Sequence, residues 1–178
     1  LAEAGVRPQY AALSGGTIAA DMLRNQPLGA TVACADADRR EALRRLLSSP
    51  SLWIEPSDDV LGVELAGAFK NVISICAGMA EGMGFAYGVE THLISRLAGE
   101  IGGFCVEELG ASPETFSISS QCWGNDMWMS CTGPTRNREL GRLIGSGRTL
   151  QEAIEEMTRR RQTVEGVATI HAMAPLFE

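Results

Sequence analysis

Apolar positions in the first third of the chain come in short runs, whereas those in the remainder recur at helical spacing. Tyr10-Ala11-Ala12-Leu13 leads through Ser14-Gly15-Gly16-Thr17 into Ile18 to Arg24, which predicts a strand, a glycine turn and a short helix. Ala30 to Cys34 is a β-branched run ended by Asp36, a residue able to cap a helix from Arg39 to Leu47, and Ser51 to Glu55 is a third strand candidate. Strands alternating with helices indicate an α/β sheet. Three are too few to close one, so this part is expected to be the end of a larger sheet.

From Ser57 onward the pattern is helical. Ser57 is a candidate N-cap with Asp58 and Asp59 in the first turn, and Leu61, Leu65, Phe69, Val72, Ile73 and Cys76 form an apolar stripe that carries the helix to about Ala80. A turn rich in glycine (Gly82, Gly84, Gly88) precedes a second long helix, expected from His92 to Leu109 and closed by Gly110. Ser112-Pro113-Glu114 has the form of a capped helix start, and Thr149 with Glu152 is a capping box. No internal repeat or low-complexity segment interrupts this plan. A boundary near residue 57 therefore divides a sheet remnant, 1–57, from a helical domain, 58–178.

The 178 residues (19.0 kDa) are 45% hydrophobic and 21% charged, which excludes disordered and fibrous classes. A net charge of -7 argues against a nucleic-acid or anionic-membrane footprint and favours a small ligand. No apolar run is expected to reach the ~18–20 residues of a membrane span, and Leu1-Ala2-Glu3-Ala4-Gly5 lacks a signal-peptide plan, so a cytoplasmic protein without membrane insertion is expected. A chain starting at Leu suggests a fragment or a processed product. Five cysteines form no CxxC pair and most are expected to be reduced core residues; with only His92 and His171 besides, no metal site is expected.

Charge composition singles out one residue. Of the fifteen basic residues Lys70 is the one lysine, and it shares a helix face with Val63, Ala66, Gly67, Ile73, Ser74 and Ala77. Such a lysine is either a boundary residue with a packed stem and a hydrated head or a general acid/base held by a carboxylate. Gly62 and Gly67 weaken the same helix by about 1 kcal/mol each relative to Ala, which suggests that something approaches there closely. The segment from Asn125 to Arg138 is richest in polar groups. Thr135 is a candidate cap for a helix starting at Arg136, where Arg136, Asn137 and free backbone N–H groups suit a phosphate or carboxylate; an ordinary capped helix with solvated arginines is the alternative. Asp126 is either a turn former or an acid that pairs with a buried lysine. Ser14-Gly15-Gly16-Thr17 could bind an anion, Arg159-Arg160-Arg161 is read as a solvated helix end, and Glu165 could accept hydrogen bonds from ribose or amide groups.

Gly62-Val63-Glu64-Leu65-Ala66-Gly67-Ala68-Phe69-Lys70-Asn71-Val72-Ile73, the segment Cys131-Thr132 to Arg136-Asn137-Arg138, Pro113-Glu114-Thr115-Phe116 and Val164-Glu165-Gly166-Val167 occur in an order and spacing that resembles the NAD(P)-dependent glycerol-3-phosphate dehydrogenases. The resemblance covers nearly the whole chain. It implies a mainly α fold, a 6-phosphogluconate-dehydrogenase-like helical C-terminal domain preceded by the last strands of a Rossmann-type α/β sheet, with the glycine-rich dinucleotide-binding half missing. It implies hydride transfer between NAD or NADP and a small phosphorylated substrate, dihydroxyacetone phosphate or sn-glycerol 3-phosphate, in support of glycerophospholipid synthesis, and is compatible with a homodimer. In it Lys70 would move the proton of the C2 oxygen and Asp126 would hold that lysine, and both, with Asn71, would contact the substrate. Thr135, Arg136 and Asn137 would clamp the phosphate, Gly15 and Thr17 would line the substrate side, and Ala19, Arg136, Thr163 and Glu165 would face the cofactor.

The chain departs from the family pattern in three places. Ser14-Gly15-Gly16-Thr17-Ile18 stands where the family usually has Ser-Gly-Pro-Ser-Phe, Trp123-Gly124-Asn125-Asp126 where it has Gly-Leu-Gly-Asp, and Ala86-Tyr87-Gly88 where it has Gly-Asp-Asn. These changes bear on substrate choice more than on reaction class. A divergent dehydrogenase of another small hydroxy compound, or a non-catalytic helical dimerisation module, are the rival expectations.

Overall fold

A computed structural model describes residues 10–177; the Leu1 to Gly5 segment lies outside them. Three strands, β1 (Ala12–Ser14), β2 (Leu28–Ala33) and β3 (Leu52–Ser57), form one sheet in the order β1-β2-β3. β1 runs antiparallel to β2 and β3 parallel to it, with Ser14 opposite Thr31 and Thr31 opposite Glu55. Two helices belong to this part, α1 (Ala19–Leu23) and α2 (Ala37–Leu47). Asp36 caps α2 by accepting the Arg39 N–H at 2.8 Å, and Leu43 and Leu47 pack on Ala30, Val32 and Ile54.

Strand β3 runs two residues beyond the expected Glu55 and takes in Ser57, so Ser57 does not cap the next helix. Asp59 does. One of its carboxylate oxygens accepts the Gly62 N–H at 2.8 Å, and the other accepts the Ser112 N–H and the Thr115 hydroxyl, so a contact distant in sequence fixes where the helix begins. That helix, α3 (Val60–Gly82), is the axis of the molecule, wrapped by α4 (Tyr87–Glu107), α5 (Asp126–Thr132), α6 (Arg136–Gly145) and α8 (Glu165–Met173), with α7 (Leu150–Arg159) behind α6. Contrary to expectation, α3 is long and apolar enough to cross a membrane, though half of it is buried inside this fold. Val63, Ala66, Ile73 and Ala77 are fully enclosed and meet Cys122, Trp123, Met127 and Cys131 in the main core.

Helix α4 starts at Tyr87, five residues before the expected His92, because Glu90 turns inward onto Arg138 at 2.5 Å and draws the first turn into the fold. Pro113–Phe116 is a single 3-10 turn rather than a longer helix. The Thr149–Glu152 capping box forms as expected. α3 and α6 cross with backbones almost touching: a Cβ at Gly78 would lie 1.9 Å from the Arg138 carbonyl, and one at Gly141 would lie 2.0 Å from that of Ile75.

Candidate active site

Helical phase places Lys70 on the face of α3 that meets α5, and the first residue of α5 is Asp126. Asp126 follows a five-residue π-helix, Gln121–Asn125, in which Gly124 passes so near the Ile118 carbonyl that a Cβ would lie 1.9 Å from it. The Lys70 ammonium donates to Asp126 Oδ2. Asp126 is fully buried, whereas the Lys70 side chain keeps 18% exposure, so one end of the pair faces solvent. The Ser130 hydroxyl, one turn along α5, points to Asp126 Oδ1 at 3.5 Å. A buried carboxylate needs such partners, and its lysine is fixed in place by the same contacts.

A second layer lies one helical turn further on. Ser74 is fully buried and donates to the Ser130 carbonyl at 2.7 Å; Thr135 donates to the same carbonyl at 2.7 Å. Thr135 is the N-cap residue of α6, yet its hydroxyl makes no capping bond, so the first N–H groups of α6 have no side-chain cap. Asn137 is buried and bonded at both ends of its amide: its Nδ2 donates to Asn71 Oδ1 at 2.9 Å and its Oδ1 accepts the Gly166 N–H at 3.0 Å. Asn71 in turn donates to the Gly67 carbonyl. This amide relay ties α3, α6 and α8 together, so Asn137 is a strap within the fold. Arg136 remains half exposed, paired with Glu165 at 2.9 Å. Arg138 turns the other way, onto Glu90, Glu81 and the Thr132 carbonyl.

The β1–α1 turn closes the site from the sheet side. Gly15 has φ +153° and lies so near Ala30 that no side chain fits, and Ser14 Oγ occupies the space beside Gly67, one turn before Lys70. The approach anticipated at Gly67 is thus this turn, and that at Gly62 is the Asp59 cap. Thr17 and Ala19 are exposed on the same turn and at the start of α1; Thr163 is exposed in the α7–α8 loop. Among the described residues no side-chain hydrogen bond joins Thr17, Ala19 or Thr163 to the Lys70–Asp126 pair. Ser74 and Ser130 were not singled out as site residues, although each lies four residues after a member of the pair and so shares its face. All five cysteines are free, and burial pushes the Cys105 thiol up to about 11 and that of Cys131 up to about 12.

Residues 59–178 match the family described as NAD-dependent glycerol-3-phosphate dehydrogenase C-terminus. The chain belongs to this family. It is 37% identical over 172 residues to a glycerol-3-phosphate dehydrogenase [NAD(P)+] of Nitratidesulfovibrio vulgaris (strain DP4), covering 96% of this chain and 51% of the relative. It is also 37% identical to the chloroplastic glycerol-3-phosphate dehydrogenase [NAD(+)] 2 of Arabidopsis thaliana, covering 97% of this chain and 40% of that protein. The crystal structure of glycerol-3-phosphate dehydrogenase from Coxiella burnetii superposes with a TM-score of 0.83 at 27% identity, over 94% of this chain and 51% of that one. The chain thus spans about half the length of the curated glycerol-3-phosphate dehydrogenases it matches, and the mainly helical fold after a few sheet strands is the fold of their C-terminal half.

Proposed function

We propose that the intact protein carrying this chain transfers hydride between NAD(H) or NADP(H) and dihydroxyacetone phosphate or sn-glycerol 3-phosphate, supplying glycerol phosphate for glycerophospholipid synthesis. The observation that carries this reading is the buried Lys70–Asp126 pair opening toward solvent close to a helix start that has no side-chain cap and bears a half-exposed arginine. Family membership supports it.

Lys70, positioned by its contact with Asp126, gives a proton to the ketone oxygen at C2, and in the reverse direction its amine takes the proton of the C2 hydroxyl. Arg136 and the first N–H groups of α6 bind the phosphate, which fixes C2 beside Lys70. Thr135 and Asn137 hold that helix start in position through Ser130 and Asn71. Gly15 and Thr17 form the opposite wall. The nicotinamide cofactor, when bound, supplies or takes the hydride at C2. Arg136, Glu165 and Thr163 would face it: each is solvent-accessible, Arg136 is paired with Glu165, and their donors and acceptors are of the kind that ribose hydroxyls and a carboxamide need. Ala19, exposed at the start of α1, would face it from the sheet side. The chain holds no G-x-G-x-x-G turn, so the pyrophosphate would be bound by residues outside it.

In this proposal the compartment is the cytoplasm, which the free thiols support. The exposed Trp53, Ile118 and Trp128 support a covering protein surface, supplied by the rest of the full-length chain and, in a homodimer, by a second copy.

Steady-state turnover of the intact protein with NADH or NADPH tests the reading. Dihydroxyacetone phosphate should exceed unphosphorylated dihydroxyacetone in kcat/KM by about 10³-fold or more, because the clamp on the phosphate is then lost. Equal rates on the two would remove the phosphate-binding role of Arg136 and α6.

A further inference from the structure

The first two N–H groups of the π-helix ahead of Asp126 are held by side chains of the sheet. The Cys122 N–H donates to Thr31 Oγ1 at 3.2 Å, and the Gln121 N–H donates to Glu55 Oε2 at 3.1 Å. Thr31 and Glu55 are partners across β2 and β3, and the Thr31 hydroxyl gives its hydrogen to the same Glu55 oxygen at 3.1 Å. A hydroxyl has one hydrogen and two lone pairs, so Glu55 leaves the Thr31 oxygen turned toward Cys122 as an acceptor. Thr31 and Cys122 are both buried, out of reach of bulk water. Side chains of the same turn rest on glycines of the sheet side: a Cβ at Gly29 would lie 2.1 Å from Gln121 Oε1, and one at Gly16 would lie 3.0 Å from Asn125 Nδ2.

The turn closes through the Asn125 N–H on the Ser120 carbonyl at 3.0 Å, five residues back. It holds one residue more than an α-helical turn, which changes by about 100° the direction in which later residues face. The next residue is Asp126, fully buried and the acceptor of Lys70. We propose that Thr31, oriented by Glu55, is a positioning residue for the proton transfer: by anchoring the start of the π-helix it fixes the phase of that turn, and with it the place of the Asp126 carboxylate beside Lys70. This rests on the proposed function for the reaction and on the three hydrogen bonds for the placement.

The test measures reduction of dihydroxyacetone phosphate by the intact enzyme and its variants. Thr31→Val keeps the side-chain shape and removes the acceptor; it should lower kcat by about 10-fold or more and leave KM within about 2-fold, because Arg136 and the start of α6 are untouched. Thr31→Ser, which keeps the hydroxyl, should retain kcat. Glu55→Leu, at a partly exposed position, should act like Thr31→Val even if the valine variant fails to fold, and Glu55→Gln should lose much less. In a Lys70→Ala enzyme Thr31→Val should cause no further loss, since Thr31 acts through the pair. Unchanged kcat in Thr31→Val and Glu55→Leu, a rise in KM alone, or the same fractional loss in the Lys70→Ala enzyme would overturn the positioning role and leave the proposed reaction standing. Undiminished turnover in Lys70→Ala would instead overturn the proton transfer proposed for Lys70, and the positioning role with it.

Discussion

Ser74 donates its hydroxyl to the Ser130 carbonyl at 2.7 Å, one helical turn past Lys70 on α3 and one turn past Asp126 on α5. Acid–base pair and hydroxyl contact are therefore successive rungs between the same two helices. The second rung also receives Thr135, which joins the proton-transfer pair to the start of α6.

Because Ser130 O accepts two hydroxyls, losing one is tolerated. Ser74→Ala and Thr135→Val should each lower stability by about 1 kcal/mol, while the double variant should cost more than the sum, since a buried carbonyl is then left unpaired. Urea unfolding of the four proteins measures the coupling, and strictly additive losses would contradict the shared acceptor.

The pair itself is predicted to be more sensitive to removal of one member than of both. Lys70→Met leaves a fully buried carboxylate, with an expected loss of about 3–5 kcal/mol, and adding Asp126→Leu should return part of it. Thermal unfolding of single and double variants decides this.

Glycines divide by what surrounds them. Gly78→Ala and Gly141→Ala force Cβ atoms into the facing helix backbone, where relief requires α3 and α6 to separate, and each should cost about 3 kcal/mol or more. Gly99 is in mid-helix with nothing within 4 Å of a Cβ, so Gly99→Ala should stabilise by about 1 kcal/mol. Denaturant midpoints of the three variants provide the comparison.

Buried thiols predict a pH dependence. The folded state raises the Cys131 thiol from 9.0 to about 12 and Cys105 to about 11, so between those values the unfolded chain has lost protons that the folded one retains. Stability is thus unaffected below about pH 9 and falls as pH rises from there toward 12. A melting series across that range should show the decline, and Cys131→Ser should flatten it. At neutral pH both thiols should react with iodoacetamide only on unfolding.

How much of this was legible in the sequence depends on how local each cause is. The Asp36 cap and the Thr149–Glu152 box are written within four residues and formed as expected. The solitary lysine on an apolar helix face is legible from charge composition, whereas its pairing with Asp126 rests on a contact between residues 56 apart. The start of α4 was not, because Glu90 is drawn in by Arg138, 48 residues away. The sequence puts Asp59 in the first turn after a Ser57 cap, and its actual capping position is fixed in part by donors from the distant 112–115 loop. The π-helix and its seam on Gly16 and Gly29 are decided by contacts between segments that no local pattern records. The sequence places Asn137 at a helix start suited to an anion, and its bonds to Asn71 and Gly166 are likewise a tertiary result.

The central claim is that the Lys70 amine moves the proton at C2, and chemical rescue tests it most directly. Turnover of dihydroxyacetone phosphate by the intact Lys70→Ala enzyme should fall by about 10³-fold or more, and added ethylamine should restore part of it in proportion to its concentration. Undiminished turnover in Lys70→Ala, or a loss in a folded protein that no small amine relieves, would contradict the claim.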